Sequence, residues 1–277
     1  MNTISPRVLA DRLQAVDPIW EKVREEAAVA AEREPVLASF LHATILNQNS
    51  LESAVSYRVS QRLDHADVPA VTIAHAFEGL QAGGTQWSET LRTDIQAVFD
   101  RDPACERYLE PLLFFKGFHA IQTHRLAHWL WNEGRRDFAL YLQSRSSAVF
   151  QTDIHPAAPM GRGIFLDHAT GLVVGFTARI GDNVSILQDV TLGGTGKEFG
   201  DRHPKIGSGV LIGAGAKILG NIVIGDCSKI ASGSVVLKPV PPYTTVAGIP
   251  AKVVGTVDCG DCGEPARAMD QSFGKAD

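Results

Sequence analysis

From Ile154 to Val236 an apolar residue returns every six positions, often followed by glycine, and this beat slips twice. The units open at Ile154, Met160 and Leu166, then at Val174, Ile180, Ile186 and Leu192, then at Ile206, Ile212, Ile218, Ile224, Ile230 and Val236. A period of six fits neither the 3.6 of an amphipathic helix nor the simple alternation of a strand. It suits a β-solenoid whose flat sides each turn one apolar residue inward. One unit cannot bury its own apolar face, so coils must stack at about 4.8 Å, pairing backbone groups and building a continuous apolar column. The second position is glycine at Gly161, Gly175, Gly181, Gly193, Gly207, Gly213 and Gly225, read as corners that need positive φ. The fifth is small or β-branched, as in Val184, Val190, Val210, Ala216, Ser228 and Ser234.

Solenoids take insertions as loops, and such loops commonly carry function. Leu166 to Val174 spans eight residues instead of six, which places two extra in Asp167-His168-Ala169-Thr170-Gly171. Leu192 to Ile206 spans fourteen, which places eight extra in the stretch from Glu198 to Lys205. Both slips carry histidine. A neutral imidazole held by a carboxylate suits a general base near neutral pH, and His168 has Asp167 beside it and Asp153 just upstream. No serine sits in a nucleophile-elbow context, so direct attack by a substrate hydroxyl is the expected chemistry. Arg202 and His203 could hold a substrate carboxylate by charge-assisted bonds. A purely structural prism with ordinary surface histidines is the plain alternative.

The first 150 residues read differently. Apolar residues at three- and four-residue spacing mark helices over Pro6 to Arg33, Val36 to Asn47, Leu51 to Leu63 and Ser88 to Phe99. A further buried helix is expected from Pro111 to Gly134. His124 and His128 share a helical face but lack further ligands nearby, so packing is preferred to metal binding. The expected organisation is an α+β chain: an all-helical domain over 1–150, a left-handed parallel β-helix over 151–257 and a loosely ordered tail over 258–277. The Cys259 and Cys262 pair in that tail is a single CxxC without a redox-fold context and reads as incidental thiols. Four cysteines make no disulfide framework, nothing resembles a signal peptide or a membrane span, and a cytoplasmic protein is expected.

The motifs Asp153-Ile154-His155-Pro156-Ala157-Ala158, Leu166-Asp167-His168-Ala169-Thr170-Gly171, Thr191-Leu192-Gly193-Gly194-Thr195-Gly196-Lys197, Asp201-Arg202-His203-Pro204-Lys205 and Ala247-Gly248-Ile249-Pro250-Ala251-Lys252 together resemble bacterial serine O-acetyltransferase. Upstream, Ser39-Phe40-Leu41-His42-Ala43, Asp94-Ile95-Gln96-Ala97-Val98, Arg101-Asp102-Pro103-Ala104 and Lys116-Gly117-Phe118-His119-Ala120 extend the resemblance over nearly the whole chain. It implies acetyl transfer from acetyl-CoA, as co-substrate and with no permanently bound cofactor, to the hydroxyl of L-serine for cysteine synthesis. His168 would be the general base with Asp153 as its carboxylate partner. Asp102 and Asp167 would meet the serine ammonium, and Arg202 and His203 its carboxylate, at a site between neighbouring prisms. L-Cysteine would compete as inhibitor. A trimer-based homo-oligomer, a hexamer, is implied, with no nucleic acid or membrane as partner.

The formal net charge is −5, so the coenzyme phosphates must meet local basic groups. Lys229 and Lys252 are candidates, each equally an ordinary solvated lysine, and Gly213 and Ala214 offer a narrow face for the pantetheine arm. Gly194 is a candidate oxyanion donor. Two departures stand out. The family usually ends in isoleucine, which inserts into O-acetylserine sulfhydrylase, whereas this chain ends in Asp277, against that partnership. Phe176 replaces the usual glutamate and, taken as the fifth position of its unit, has an inward structural role open to it. The rival readings are an O-acetyltransferase for homoserine, a sugar or a xenobiotic, a zinc carbonic anhydrase built on His155, His168 and His203, and a non-catalytic scaffold.

Overall fold

A computed structural model describes residues 17–84, 86–196, 199–257 and 265–271. Helix α1 (Pro18–Arg33) begins where the Asp17 side chain accepts a hydrogen bond from the Trp20 amide, with proline in the first turn, two devices that close a helix N-terminus. The expected start of this helix at Pro6 lies outside the described residues. The chain then winds irregularly through α2 (Ala38–Leu41) and a wider turn, His42–Leu46, to α3 (Leu51–Leu63), whose first turn is fixed by reciprocal bonds between Ser50 and Ser53. Helix α4 (Ala70–Ala82) is absent from the sequence reading because its buried stripe is small, Ala70, Ile73, Ala76 and Phe77. Helix α5 (Gln86–Arg101) covers the expected Ser88 to Phe99 and runs slightly beyond it.

The single helix expected from Pro111 to Gly134 is two, α6 (Leu109–Leu113) and α7 (Lys116–Asn132). Phe115 is extended between them, at φ −83° and ψ 108°. The redirected α7 brings Gly117 so close to Leu166 that any side chain at 117 would collide with the Leu166 carbonyl. The helix does stop at glycine, since Gly134 has φ 79°, the left-handed conformation of a C-terminal cap. Helix α8 (Arg136–Phe150) returns along α7 and delivers the chain to the solenoid. His124 and His128 join the halves: their ring nitrogens lie 3.0 Å from the Ala158 carbonyl and 2.7 Å from that of Pro156.

Three sheets form the sides of the solenoid. One holds β1 (Thr152–Ile154), β3 (Leu172–Val174), β6 (Thr191–Gly193), β9 (Lys217–Leu219) and β12 (Val235–Val236). A second holds β4 (Arg179–Ile180), β7 (Lys205–Ile206) and β10 (Val223–Ile224). The third holds β2 (Phe165–Leu166), β5 (Ser185–Ile186), β8 (Leu211–Ile212), β11 (Lys229–Ile230) and a closing antiparallel hairpin of β13 (Thr244–Gly248) and β14 (Ala251–Thr256). Register counts the insertions directly. Val173 faces Thr191 and Lys205 faces Val223, eighteen residues on, three hexapeptides per coil. Asp153 faces Val173 across twenty residues, and Ser185 faces Leu211 across twenty-six, so two and eight residues are looped out where the beat slips.

First and fifth positions turn inward as expected; Ile186, Leu192, Ile212, Val184, Val190 and Val210 are all fully buried. The second-position glycines do not serve positive-φ corners. Left-handed backbone falls instead at the fourth position, on Gly163, Asn183, Asp189, Gly209, Gly215, Cys227 and Gly233. The second position needs glycine because the next coil presses on it: a Cβ on Gly213 would lie 2.6 Å from the Ser232 amide nitrogen.

Candidate active site

The two insertions occupy different corners of the triangle. The shorter joins β2 to β3, between the six- and five-stranded sides, and the longer joins β6 to β7, between the five- and three-stranded sides. In the shorter, His168 and Ala169 are consecutive left-handed residues at φ 55° and 61°. Side chains rarely adopt that backbone, and such strain collects at functional loops. Here it is held by Ala169, which is fully buried and whose amide donates to the Asp167 carbonyl at 2.6 Å. The His168 ring stays in solvent with 72% of its side chain accessible, and its Nε2 lies 3.6 Å from Asp167 Oδ2.

Burial pushes the Asp167 carboxyl above the usual carboxylate range, the His168 imidazole opposes that shift, and the neighbouring charge of Asp102 adds to it. Asp102 sits just past α5, where its own carboxylate accepts from the Ala104 amide at 2.9 Å. Asp102, Asp167 and His168 are therefore brought together. Asp153 points outward from β1 and accepts a 2.6 Å bond from Gln143 of α8; within this chain the carboxylate beside the His168 ring is that of Asp167.

The second group gathers on the longer insertion. His203 is buried, and its Nδ1 receives the Thr177 amide at 3.2 Å and lies 2.8 Å from the Thr177 hydroxyl. The same hydroxyl accepts from the amides of Arg202 at 3.0 Å and His203 at 3.2 Å. Gly175 backs the ring so closely that a Cβ there would enter the imidazole. Burial, then the charges of Arg202 and Lys205, hold the His203 pKa below the ordinary histidine range. Arg202 lies across Gly194, its Cγ and Cδ 3.3 Å from where a Cβ would stand. Thr177 and Gly175 were missed as site residues. Their signal lay in the stretch Gly175-Phe176-Thr177-Ala178, where Phe176 is the departure from the family pattern.

Phe176 is the third residue of its unit, not the fifth, and it does not face inward. It is 46% exposed and packs edge-on against His155 at 4.8 Å and Trp131 at 6.2 Å between ring centres. Among the coenzyme candidates, Gly213 is buried by coil stacking and Ala214 is half-buried beside it. Lys229 is buried and paired with Asp270 at 3.5 Å, beyond the short helix α9 (Pro265–Ala268), so it is not an ordinary solvated lysine. Lys252 is exposed on β14 opposite Ala247. Cys259, Cys262 and Asp277 lie outside the described residues.

Among the described residues of one chain no three His, Cys, Asp or Glu side chains converge as a metal site requires. No helix among those residues is long and apolar enough to cross a membrane. An exposed imidazole beside a carboxylate at one corner, and an arginine with a neutral histidine at another, suit proton abstraction and carboxylate binding.

Comparison with known proteins agrees. Residues 19–123 match the family model for the serine acetyltransferase N-terminal region, and residues 203–238 that for the bacterial transferase hexapeptide, six repeats. A serine acetyltransferase of Salmonella typhimurium is 54% identical over 94% of each chain. A solved serine acetyltransferase of Brucella abortus in complex with coenzyme A is 64% identical, with a TM-score of 0.88 over 89% of this chain and 99% of the other. Another, in complex with cysteine, is 51% identical, with a TM-score of 0.89 over 92% and 98%. With a helical half followed by a left-handed parallel β-helix, and with 54% identity over 94% of its length to a serine acetyltransferase, the chain belongs to the serine acetyltransferase family.

Proposed function

We propose that this chain transfers the acetyl group of acetyl-CoA to the hydroxyl of L-serine, with His168 as general base. The imidazole takes the hydroxyl proton as the oxygen attacks the thioester carbonyl. Collapse of the tetrahedral adduct breaks the carbon–sulfur bond, and the imidazolium returns its proton to the departing CoA thiolate. O-Acetyl-L-serine and CoA leave, and the base is regenerated. Asp102 and Asp167 meet the serine ammonium, Arg202 and His203 meet its carboxylate, and Asp153 supports the imidazolium.

One chain holds these two groups at opposite edges of its five-stranded side, about 20 Å apart for a six-residue side at a strand's rise per residue. A neighbouring prism that brings its own long insertion to the His168 corner completes the site. The assembly is accordingly trimer-based, a hexamer of this chain in the cytoplasm, and mass in solution checks it. The coenzyme lies along the groove between prisms, with Lys252 open to its phosphates, Gly213, Ala214 and Gly194 lining it, and Lys229 available once its pair with Asp270 opens. A pocket that grips ammonium and carboxylate also takes L-cysteine, the ligand of one solved relative, as a competitor of serine. No sulfhydrylase partner is assigned.

The observation that carries this reading is the solvent-reachable His168 ring, fixed on left-handed backbone at the first slip with Asp167 beside it. Thiol release from acetyl-CoA with L-serine, homoserine and sugar acceptors tests it. Serine should be preferred, and His168→Ala should lose about two to four orders of magnitude in turnover. Activity of the variant within severalfold of the parent rejects the base assignment.

A further inference from the structure

We propose that Thr177 is a positioning residue that fixes the tautomer of His203, so that the ring presents Nε2–H to the substrate carboxylate. The inference rests on the reading above that His203 binds that carboxylate. Its first support is the Thr177 amide, which points at His203 Nδ1 from 3.2 Å. A backbone amide can only donate, so Nδ1 carries the lone pair and the ring proton sits on Nε2. The second is the Thr177 hydroxyl. Its oxygen accepts from the amides of Arg202 and His203, and its one proton faces two acceptors, His203 Nδ1 at 2.8 Å and the Asp201 carboxylate. Whichever acceptor takes that proton, the amide assigns the tautomer, and the hydroxyl holds the ring's place by accepting from the amides of Arg202 and His203.

The groups that bear on the ring charge are Arg202 and Lys205 on its own segment, Asp201 beside them and His155 after β1. Burial and the two cations keep the ring neutral, and a neutral ring has one N–H to give. Gly175 completes the device, because only a residue without a Cβ lets the imidazole lie against that coil. One threonine thus sets the proton on His203 and, through two amides, the backbone of both carboxylate-binding residues.

Steady-state kinetics on the full chain tests this. Thr177→Val keeps the shape and the amide but removes the hydroxyl. It should raise the serine KM and the cysteine inhibition constant together by about tenfold, the worth of one hydrogen bond. The turnover number and the acetyl-CoA KM should stay within about twofold, and Thr177→Ser should restore serine KM. A second pair of variants does not depend on how Thr177→Val folds. His203→Gln, which puts an amide N–H near the Nε2 position, should raise serine KM by at least about tenfold less than His203→Asn, which mimics Nδ1–H. Arg202→Ala serves as the reference for the carboxylate subsite. If it raises serine KM while Thr177→Val does not, or if His203→Asn outperforms His203→Gln, the positioning role is wrong. If Arg202→Ala also leaves serine KM unchanged, the subsite itself is misplaced and the tautomer argument goes with it.

Discussion

Asp167 shows how a carboxylate proposed to bind substrate can work against folding. It is half-buried beside the exposed His168 ring and within the field of Asp102, and burial raises its pKa. The sign follows from linkage: a carboxyl with a raised folded pKa favours the folded state most when protonated, at low pH, and loses that advantage as pH rises through the folded value. At neutral pH its charge therefore costs stability, the counterpart of the role proposed for it beside the ammonium and the imidazolium. Asp167→Asn should raise the melting temperature at pH 7 and lose that gain near pH 3. In kinetics it should lower kcat/KM for serine and make the acid limb shallower, because the Asp167 protonation is gone. An unchanged melting temperature at pH 7, or an acid limb of the same steepness, removes Asp167 from this role. His168 and Asp167 were legible because a phase break displays them. Thr177 was not, because its partner His203 lies across one coil that the longer insertion has stretched to twenty-six residues, and a six-residue beat carries no sign of contacts between coils.

Helix α7 is the element on which the two halves meet, and its sequence showed length and apolarity but not its break after Phe115. That break answers to Leu166, fifty residues away and distant in any local pattern. Two histidines on α7 carry a second consequence. His119 and His124 are fully buried, and desolvation drives both pKa values down to about 3. In the unfolded chain each titrates near its ordinary value of about 6.5. The unfolded state therefore binds protons that the folded state refuses as pH falls from that value towards about 3, and stability drops in that window by up to about 1.4 kcal/mol per pH unit for each ring. His124→Gln can keep a donor to the Ala158 carbonyl, which His124 Nε2 reaches at 3.0 Å, while removing the titration. Urea midpoints at pH 7 and pH 4.5 should lie closer together in this variant than in the parent. Equal differences would mean that His124 is not a source of acid lability.

One apolar cluster runs without interruption from Trp20 on α1 to Val246 on β13, so the helical and solenoid halves share a core, and a polar clamp sits across the junction. Asp94 of α5 is fully buried and takes Arg125 Nε and Nη2 at 2.6 and 2.8 Å, Gln122 at 2.9 Å, and the amides of Gly163 and Ile164 at 2.9 and 3.1 Å. Arg125 in turn donates to the Gly161 carbonyl at 2.8 Å. The sequence offered Asp94 only as part of a motif, since its role exists only when α5, α7 and the first coil have met. A buried ion pair adds little over a well-packed apolar substitute, but breaking it strands the other charge. Asp94→Ala leaves Arg125 and two solenoid amides without their acceptor and should cost about 3–5 kcal/mol. Because the clamp ties the first coil to the helices, the loss should appear as a split calorimetric transition, with the solenoid half melting after the helical half. Asp94→Asn keeps the acceptor for the amides but not the charge, and should fall between the two. A single transition in Asp94→Ala with less than about 1 kcal/mol lost would show that apolar packing alone couples the halves.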